Sequence, residues 1–335
     1  MKKNKVLLLI MIMGVLIFAS SGNAQQFSKI AQSGMKWLSI PIGARGAALG
    51  NAYTAGSADA SAVFWNPAAL ALVENGHVFV NRTQWIADIN LNAASVSYEV
   101  EGLGTFGIHF MSVDWGTFKG TEFTGDLSLY KTTGTFSPED LAIGISYARR
   151  ISDKFLVGGN IKYISEDLQG GHIGTLTNPR QYDAKLNAIA FDFGTLFYTG
   201  YKDLRFGVSI QNISAEYKYR YEAFPLPLTF KFGLAMDLAK SFFLGEESDQ
   251  SVTLHVDAVH PRDFSERLHF GLEYGFQQMI FLRAGYKTNY DEEDLSLGAG
   301  IRYDISDNYE LGVDYSYISF ENFDAVHMFS FDFGF

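Results

Sequence analysis

From about residue 76 to its end the chain repeats one pattern: a stretch in which apolar side chains alternate with small or polar ones, then a turn. Leu268, Phe270, Leu272, Tyr274 and Phe276 alternate with His269, Gly271, Glu273 and Gly275. Leu295, Leu297, Ala299, Ile301 and Tyr303 alternate in the same way with Gly298, Gly300, Arg302 and Asp304. The period is two, not 3.6, so these segments read as strands with one greasy face. The same reading places strands at 77–85, 89–100, 103–115, 139–150, 154–166, 185–199, 204–213, 226–238, 250–261, 265–276, 279–289, 294–304, 308–319 and 324–335. That makes fourteen, an even number. The first two alternate poorly.

The last strand is the most informative. In Ala325–Phe335 the side chains of Phe329, Phe331, Phe333 and Phe335 share one face, and Met328, Ser330, Asp332 and Gly334 share the other. An ordinary buried terminal strand is one explanation. A transmembrane barrel is the better one, because lipid offers no partner to an open strand edge and the last strand must close against the first. Phe331, Phe333 and Phe335 also resemble the C-terminal signal by which barrel-assembly machinery recognises outer-membrane proteins.

Turn lengths sort into two classes. The connections at Glu101-Gly102, Ser152-Asp153, 201–203, Gln277-Gln278 and Ser306-Asp307 are short, whereas 116–138, 167–184 and 214–225 are long, and the two kinds alternate. Outer-membrane barrels keep short turns in the periplasm and long loops outside, so both termini are expected in the periplasm. The connection 239–249 is long on the short-turn side and breaks the rule.

The N-terminus is consistent with export. Lys2, Lys3 and Lys5 precede an uncharged run from Val6 to Ala19, and Gly22-Asn23-Ala24 offers small residues to a signal peptidase, making 1–24 a signal peptide and Gln25 the mature start. As a membrane anchor the run is short of the roughly 20 residues a helical span needs. No Cys is present, which excludes a lipoprotein, disulfides, thiol catalysis and thiolate metal sites. No helix-length apolar segment follows residue 24, so a membrane location requires a barrel. The 15% aromatic content and 33 Gly suit strands that face lipid on one side and a polar lumen on the other. A net charge of −11, with no basic stripe, argues against nucleic acid as a partner.

Charges of both signs fall on the inward face: Lys162, Asp192, Arg205, Lys231, Asp237, Asp257, Glu273, Arg283, Arg302, Glu310 and Asp314. Glu273 and Arg283 flank one short turn and Arg302 and Glu310 another, so each pair is expected nearly opposite across a hairpin, as a structural pair in the lumen. A selectivity ring would need many charges of one sign at one level.

Residues 25–75 do not alternate. They hold an expected short helix from Phe27 to Leu38 and a Gly/Ala-rich stretch from Ile42 to Ala71. Gly43, Gly46, Gly50 and Gly56 permit close backbone approach, Asp59 can cap a helical turn running to Trp65, and Asn66-Pro67 ends that turn. Such small, apolar, punctuated sequence suits packing inside something narrow.

Here the sequence is similar to a known family. The run Gly43-Ala44-Arg45-Gly46-Ala47-Ala48-Leu49-Gly50-Asn51-Ala52-Tyr53, the later Asp59-Ala60-Ser61-Ala62-Val63-Phe64-Trp65-Asn66-Pro67-Ala68-Ala69-Leu70-Ala71, and Gln84-Trp85-Ile86-Ala87-Asp88-Ile89 resemble the N-terminal signature of the PorV/PorQ outer-membrane barrels, relatives of the FadL hydrocarbon transporters. The resemblance implies an all-β, fourteen-stranded transmembrane barrel over 76–335, with residues 25–75 folded into the lumen as a hatch. Asn66-Pro67-Ala68 matches the family's hatch element. Its Asn is read as satisfying buried backbone groups, with direct ligand contact as the alternative.

No nucleophile elbow, metalloprotease helix, P-loop or dinucleotide fingerprint occurs, and the seven His show no metal-like spacing. His109, His255 and His269 can all point inward, but no partnered Ser or carboxylate cluster accompanies them. The acids from Asp291 to Asp294 read as a solvated loop tip in preference to a divalent-ion site. The chain is therefore expected to be non-enzymatic, with no metal and no cofactor. Three functions compete: an accessory barrel of type IX secretion whose partners are the secretion translocon and secreted proteins, a FadL-like channel for hydrophobic molecules, and a secreted soluble β protein. The last is weakest, because the greasy period-two faces recur on too many long strands. The first is preferred on the signature. Outer-membrane lipid and the barrel-assembly machinery are partners under either of the first two.

Overall fold

A computed structural model describes residues 32–56, 59–123, 130–169, 171–175, 178–182, 184–245, 248–306 and 309–335. In chain order the strands are β1 (Gly76–Gln84), β2 (Asn90–Val100), β3 (Gly104–Asp114), β4 (Phe118–Phe123), β5 (Tyr130–Phe136), β6 (Glu139–Ser152), β7 (Phe155–Asp167), β8 (Gly171–Thr175) and β9 (Asn178–Tyr182). They continue as β10 (Lys185–Tyr198), β11 (Arg205–Ile213), β12 (Thr229–Asp237), β13 (Gln250–Pro261), β14 (Arg267–Phe276), β15 (Ile280–Lys287), β16 (Glu293–Ser306), β17 (Tyr309–Phe320) and β18 (Val326–Gly334).

Fourteen of them close into one antiparallel barrel in the order β1-β18-β17-β16-β15-β14-β13-β12-β11-β10-β7-β6-β3-β2. The remaining four form two separate hairpins, β4-β5 and β8-β9. Both stand in long connections, where alternation gave no sign of strands. The barrel strands begin and end within about three residues of the sequence expectation. The largest displacement is at β12, which starts at Thr229 because Pro225 and Pro227 cannot donate to a ladder.

Closure is made by the residues at the two ends. Val80 sits opposite Phe331 and His77 opposite Gly334, and Gly76, the first residue of β1, exchanges backbone hydrogen bonds of 2.9 and 2.8 Å with Phe335, just past β18. The polarity is inside out. Phe329, Phe331 and Phe335 are exposed on the outer wall while Met328, Ser330 and Asp332 are buried within it. In β3, Phe106, Ile108 and Phe110 point out, and His109 and Met111 point in. An outer surface this apolar is stable only when covered by hydrocarbon.

One expectation fails. A helix from Phe27 to Leu38 is not formed over its described part: only Lys36–Ser39 makes a short 3₁₀ turn, because Met35 takes a left-handed conformation (φ 50°) just before it. Residues 1–31, including Gln25 and the signal peptide, lie outside the described residues. The long connection after β12 gains its account: Ala239–Leu244 forms one wide helical turn, started by the Lys240 N–H donating to Asp237 Oδ1 at 2.9 Å.

Candidate functional site: the lumen and the segment inside it

Residues 32–75 run through the barrel from one mouth to the other. At the long-loop mouth, Ser33 Oγ donates to Asp263 and Lys36 Nζ lies 3.0 Å from the same carboxylate, on the connection between β13 and β14. Gly34 N donates to Pro225 O at 3.1 Å. At the other mouth, Gly76 meets Phe335. Ser33 and Phe335 therefore lie at opposite ends of the barrel. Gln25, the expected mature start, lies outside the described residues.

A backbone without regular structure, placed where bulk water is excluded, must find partners for its N–H and C=O groups. The strands supply them from inward positions. Ser330 Oγ accepts from Ala44 N at 2.8 Å, Ser296 Oγ from Gly50 N at 3.0 Å, and Asp257 Oδ2 from Tyr53 N and Thr54 N at 3.1 and 3.0 Å. In the other direction, Ser95 Oγ donates to Ala60 O, Asn160 Nδ2 to Val63 O, Gln211 Nε2 to Phe64 O and Arg205 Nε to Ala55 O, all within 2.6–2.8 Å. Asn160, Gln211, Ser296 and Ser330 were not singled out in the sequence. Their signal is a polar side chain on the inward face of a barrel strand.

The motif residues meet inside this packing. Gly46 lies under the Trp65 indole, where a Cβ would come within 2.5 Å of the ring, and Gly43 has φ 103° beside the same indole. Trp65 meets Tyr53 edge-on at 5.7 Å. Gly50 (φ 64°) crosses Gly285 so closely that a Cβ on Gly285 would fall 1.9 Å from Gly50 N. Asp59 Oδ1 accepts from Ser61 N at 2.8 Å ahead of the turn Ala62–Trp65. Asn66 brackets the fold: its Nδ2 donates to Thr54 O (2.8 Å) and Thr195 O (3.0 Å), and its Oδ1 accepts from Ala68 N (3.1 Å), starting the turn Pro67–Leu72. Both amide protons are occupied, which leaves Asn66 no donor for a ligand.

Arg45 and four of the inward wall charges form one alternating chain. Arg45 meets Glu273 through Nη2–Oε1 (2.8 Å) and Nε–Oε2 (3.0 Å). Glu273 meets its cross-strand neighbour Arg283 at 2.6 Å, Arg283 meets Asp314 at 2.6 Å, and Asp314 meets Arg302 at 2.7 Å. The second expected hairpin pair is displaced. A register irregularity between Asp304 and Ser306 sets Glu310 opposite Asp304 and Arg302 opposite Gly312. Arg302 is thus hydrogen-bonded to Asp314, with Glu310 at 3.8 Å. Burial disfavours the charge on Arg45, yet Glu273 more than offsets this and holds the guanidinium pKa above its ordinary value.

Either side of the segment a cavity remains. The one toward the short turns, about 420 Å³, is lined by Arg45, Asp203, Arg205, Asp237, Arg302 and Glu310. The one toward the long loops, about 510 Å³, is lined by Trp37, Ile40, Trp65, Trp85, Met111 and Trp115, with Lys162 and Lys231. Inward strand positions alone are mostly Gly, Ala, Ser and charged. Much of this outer lining instead comes from the inner segment and the outer connections, which strand alternation does not report. Lys231 Nζ stands 5.5 Å over the Trp65 ring.

His109, His255 and His269 are each buried in the lumen, apart in function: His109 Nδ1 lies 3.2 Å from Ser146 Oγ, His269 Nε2 lies 3.0 Å from Tyr290 Oη, and His255 packs on Tyr53. Among the described residues no group of three or more His, Asp or Glu could hold a metal ion. On the outer acidic turn, Glu293 pairs with Lys287 at 2.6 Å and Glu292 accepts from Asn322.

The ladder of the wall is shortened beside β10. The ladder between β10 and β7 runs out to Lys185, but that between β10 and β11 stops at Phe191, after an irregularity at Asp192. Above it, Tyr217 Oη both accepts from Ile189 N (2.8 Å) and donates to Ile189 O (3.0 Å), standing where a neighbouring strand would.

Comparison with known proteins supplies the identity of the fold. Among solved structures, the Ralstonia pickettii toluene transporter TbuX resembles the chain with a TM-score of 0.58 at 15% identity, covering 88% of this chain and 98% of that one. The CymD monoaromatic hydrocarbon channel gives 0.58 at 14%, with the same coverage. A Pseudomonas aeruginosa FadL homologue gives 0.51 at 11%, again over 88% and 98%. At such identities the likeness is one of fold. No curated protein sequence matches the chain. Residues 23–259 match the family described as type IX secretion system protein PorV, and since that span is well over half the chain, this outer-membrane β-barrel belongs to the PorV family.

Proposed function

We propose that this barrel is a non-enzymatic accessory or shuttle component of type IX secretion, receiving or escorting secreted proteins at the outer membrane. In this reading residues 25–75 act as a hatch, the short turns and Phe335 face the periplasm, and the long connections face outward. The observation that carries it is the occupied lumen: the inner segment is bonded to strands all round the wall, which supports a plugged barrel whose partner surface is at its outer mouth. That surface includes the β4-β5 hairpin, with Phe118 stacked on Phe136 at 5.6 Å and Tyr130 exposed. Exposed aromatics along a ribbon outside the barrel suit contact with a protein partner. Leu127, Leu129 and Leu176, further apolar residues of the outer loops, lie outside the described residues.

The second reading, a transporter of hydrophobic small molecules, is favoured by the aromatic outer cavity. One experiment separates the two. Deleting 116–138 should lower surface display of secreted proteins without altering growth on long-chain fatty acids, and photo-crosslinkers at Phe118 and Tyr130 should trap a translocon component or a secreted substrate. Spared secretion with abolished fatty-acid uptake would give the transporter reading the decision.

A further inference from the structure

The connection 239–249, the long one on the short-turn side, carries Phe242, Phe243 and Leu244 in succession, and all three are exposed, Phe243 by 82%. The other short connections also place exposed apolar side chains beside their tips, among them Leu103, Ile151, Tyr201, Met279 and Ile305, but none places three in a row. Such a ring marks the level at which a barrel wall passes from hydrocarbon to headgroups. Three consecutive large apolar side chains left in bulk water are unfavourable, so this tip requires cover.

The turn that presents the three residues is fixed to the wall. Asp237 Oδ1 accepts from Lys240 N at 2.9 Å and from Val252 N at 3.3 Å, joining the start of the turn to β13, and Asp203 Oδ2 accepts from Asp237 N at 3.1 Å. Gly245, at φ 87°, ends the turn, and Gln277 N donates to Asp249 O at 2.6 Å on the returning leg. Ser248, Asp249 and Gln250 are polar, so the apolar surface is confined to the tip. The wall leads into it. Phe230, Phe232, Leu234 and Met236 hold the outward positions of β12, Leu254 and Val256 of β13 stand opposite Met236 and Leu234, and Leu238 continues the row toward the turn. The tip therefore stands at the edge of a face that hydrocarbon already covers.

We propose that Ala239–Leu244 is an interfacial anchor, seated in the phospholipid leaflet on the short-turn side, with Phe242, Phe243 and Leu244 among the upper acyl segments. Continuity with the lipid-facing wall selects lipid as the occupant. A short element with large apolar side chains at the membrane surface binds through the area it buries at the boundary of headgroups and chains. Lys240, half-buried in the same turn, can lay its stem along apolar surface and keep its ammonium at headgroup level. Placed between β12 and β13, the anchor fixes the depth of that side of the barrel and resists its tilting out of the leaflet. A long connection among short ones is thereby explained, whatever the barrel carries.

The chain has no Cys, so Phe243→Cys carries a single spin label. In folded, heat-modifiable protein reconstituted into vesicles of phosphatidylethanolamine and phosphatidylglycerol, its collisions with dissolved oxygen, which concentrates in hydrocarbon, are compared with those with a water-soluble nickel chelate. The oxygen-to-chelate ratio should exceed that at Glu101→Cys, an exposed tip of another short connection, by at least about threefold, and should approach that at Ile108→Cys on the lipid-facing wall. Adding Phe242→Ser and Leu244→Ser should bring the ratio down to the Glu101→Cys value with the barrel still heat-modifiable. A Phe243→Cys ratio equal to that of Glu101→Cys puts the turn in water, a label shielded from both colliders puts it against protein, and a ratio unmoved by the two serine substitutions shows that the label and not the turn seeks lipid. Each of these overturns the anchor. In native outer membranes a photo-crosslinker at Phe243 should give lipid adducts, and a discrete protein adduct in their place would make the occupant a protein and the proposal wrong.

Discussion

Arg45 and Glu273, 228 residues apart in sequence, form a two-point salt bridge that ties the inner segment to β14. Bidentate geometry makes it directional as well as strong, and the same carboxylate already serves Arg283. The position of the segment in the lumen is thus coupled to the charge chain along the wall.

Breaking that tie should loosen the segment without unfolding the barrel. Arg45→Met removes hydrogen bonds to a charged group worth roughly 1.5–3 kcal/mol. Glu273 keeps Arg283 as a partner, so the wall is expected to survive. Planar-bilayer recordings should show little steady conductance for the parent, frequent openings for Arg45→Met, and a larger stable conductance after deletion of 25–71. Large steady pores in the parent would mean that the segment does not seal the lumen.

Gly285 tests the packing itself. Its missing Cβ is what lets Gly50 cross β15, since an added carbon would lie 1.9 Å from Gly50 N and the atoms it meets are backbone. Gly285→Ala should therefore displace the segment locally and raise conductance in the direction of the deletion, while the heat-modifiable barrel still forms. Parent-like conductance would show that Gly50 does not need its place on β15.

The wall was legible in the sequence because a strand's two faces report their solvents directly: Phe329 and Phe331 outside, Ser330 and Asp332 inside. The pair Glu273–Arg283 was legible for the same reason, being fixed by one short turn. Arg302 and Glu310 meet only on a diagonal, at 3.8 Å, because the register at the next turn sets Glu310 opposite Asp304, and such slips leave no periodic trace. The inner segment has no period at all, so nothing local marks Asn160 or Gln211 as its anchors, and the aromatic outer cavity depends on Trp37 and Trp85, which lie on no strand.

Closure predicts an all-or-none assembly defect. Deleting 326–335 removes β18 and leaves β1 and β17 with open edges, which lipid cannot satisfy. No heat-modifiable, protease-resistant barrel should be recovered. Phe335→Asp, which puts a charge on the exposed face next to the Gly76 closure, should reduce the yield sharply. Parent-like amounts of either folded variant would refute the closing role of this strand.

Asp263 gives the inner segment a pH dependence of its own. Burial raises its pKa, but hydrogen bonds from Ser33 and Lys36 and the Lys36 charge outweigh this and hold the carboxyl below its ordinary value. A folded-state value below the unfolded one means that the anchor is fully present above the unfolded value of about 3.9 and is lost as pH falls through the folded value. Near neutrality Ser33 and Lys36 should stay docked, and they should release only in strong acid. A spin label on Gln32→Cys, next to this anchor and exposed, should be immobilised at neutral pH and become mobile only well below pH 4. Asp263→Asn keeps an acceptor for Ser33 but loses the attraction to Lys36, so the label should already be more mobile at neutral pH. A label whose mobility is the same in both proteins from acid to neutral would show that Asp263 does not anchor the segment.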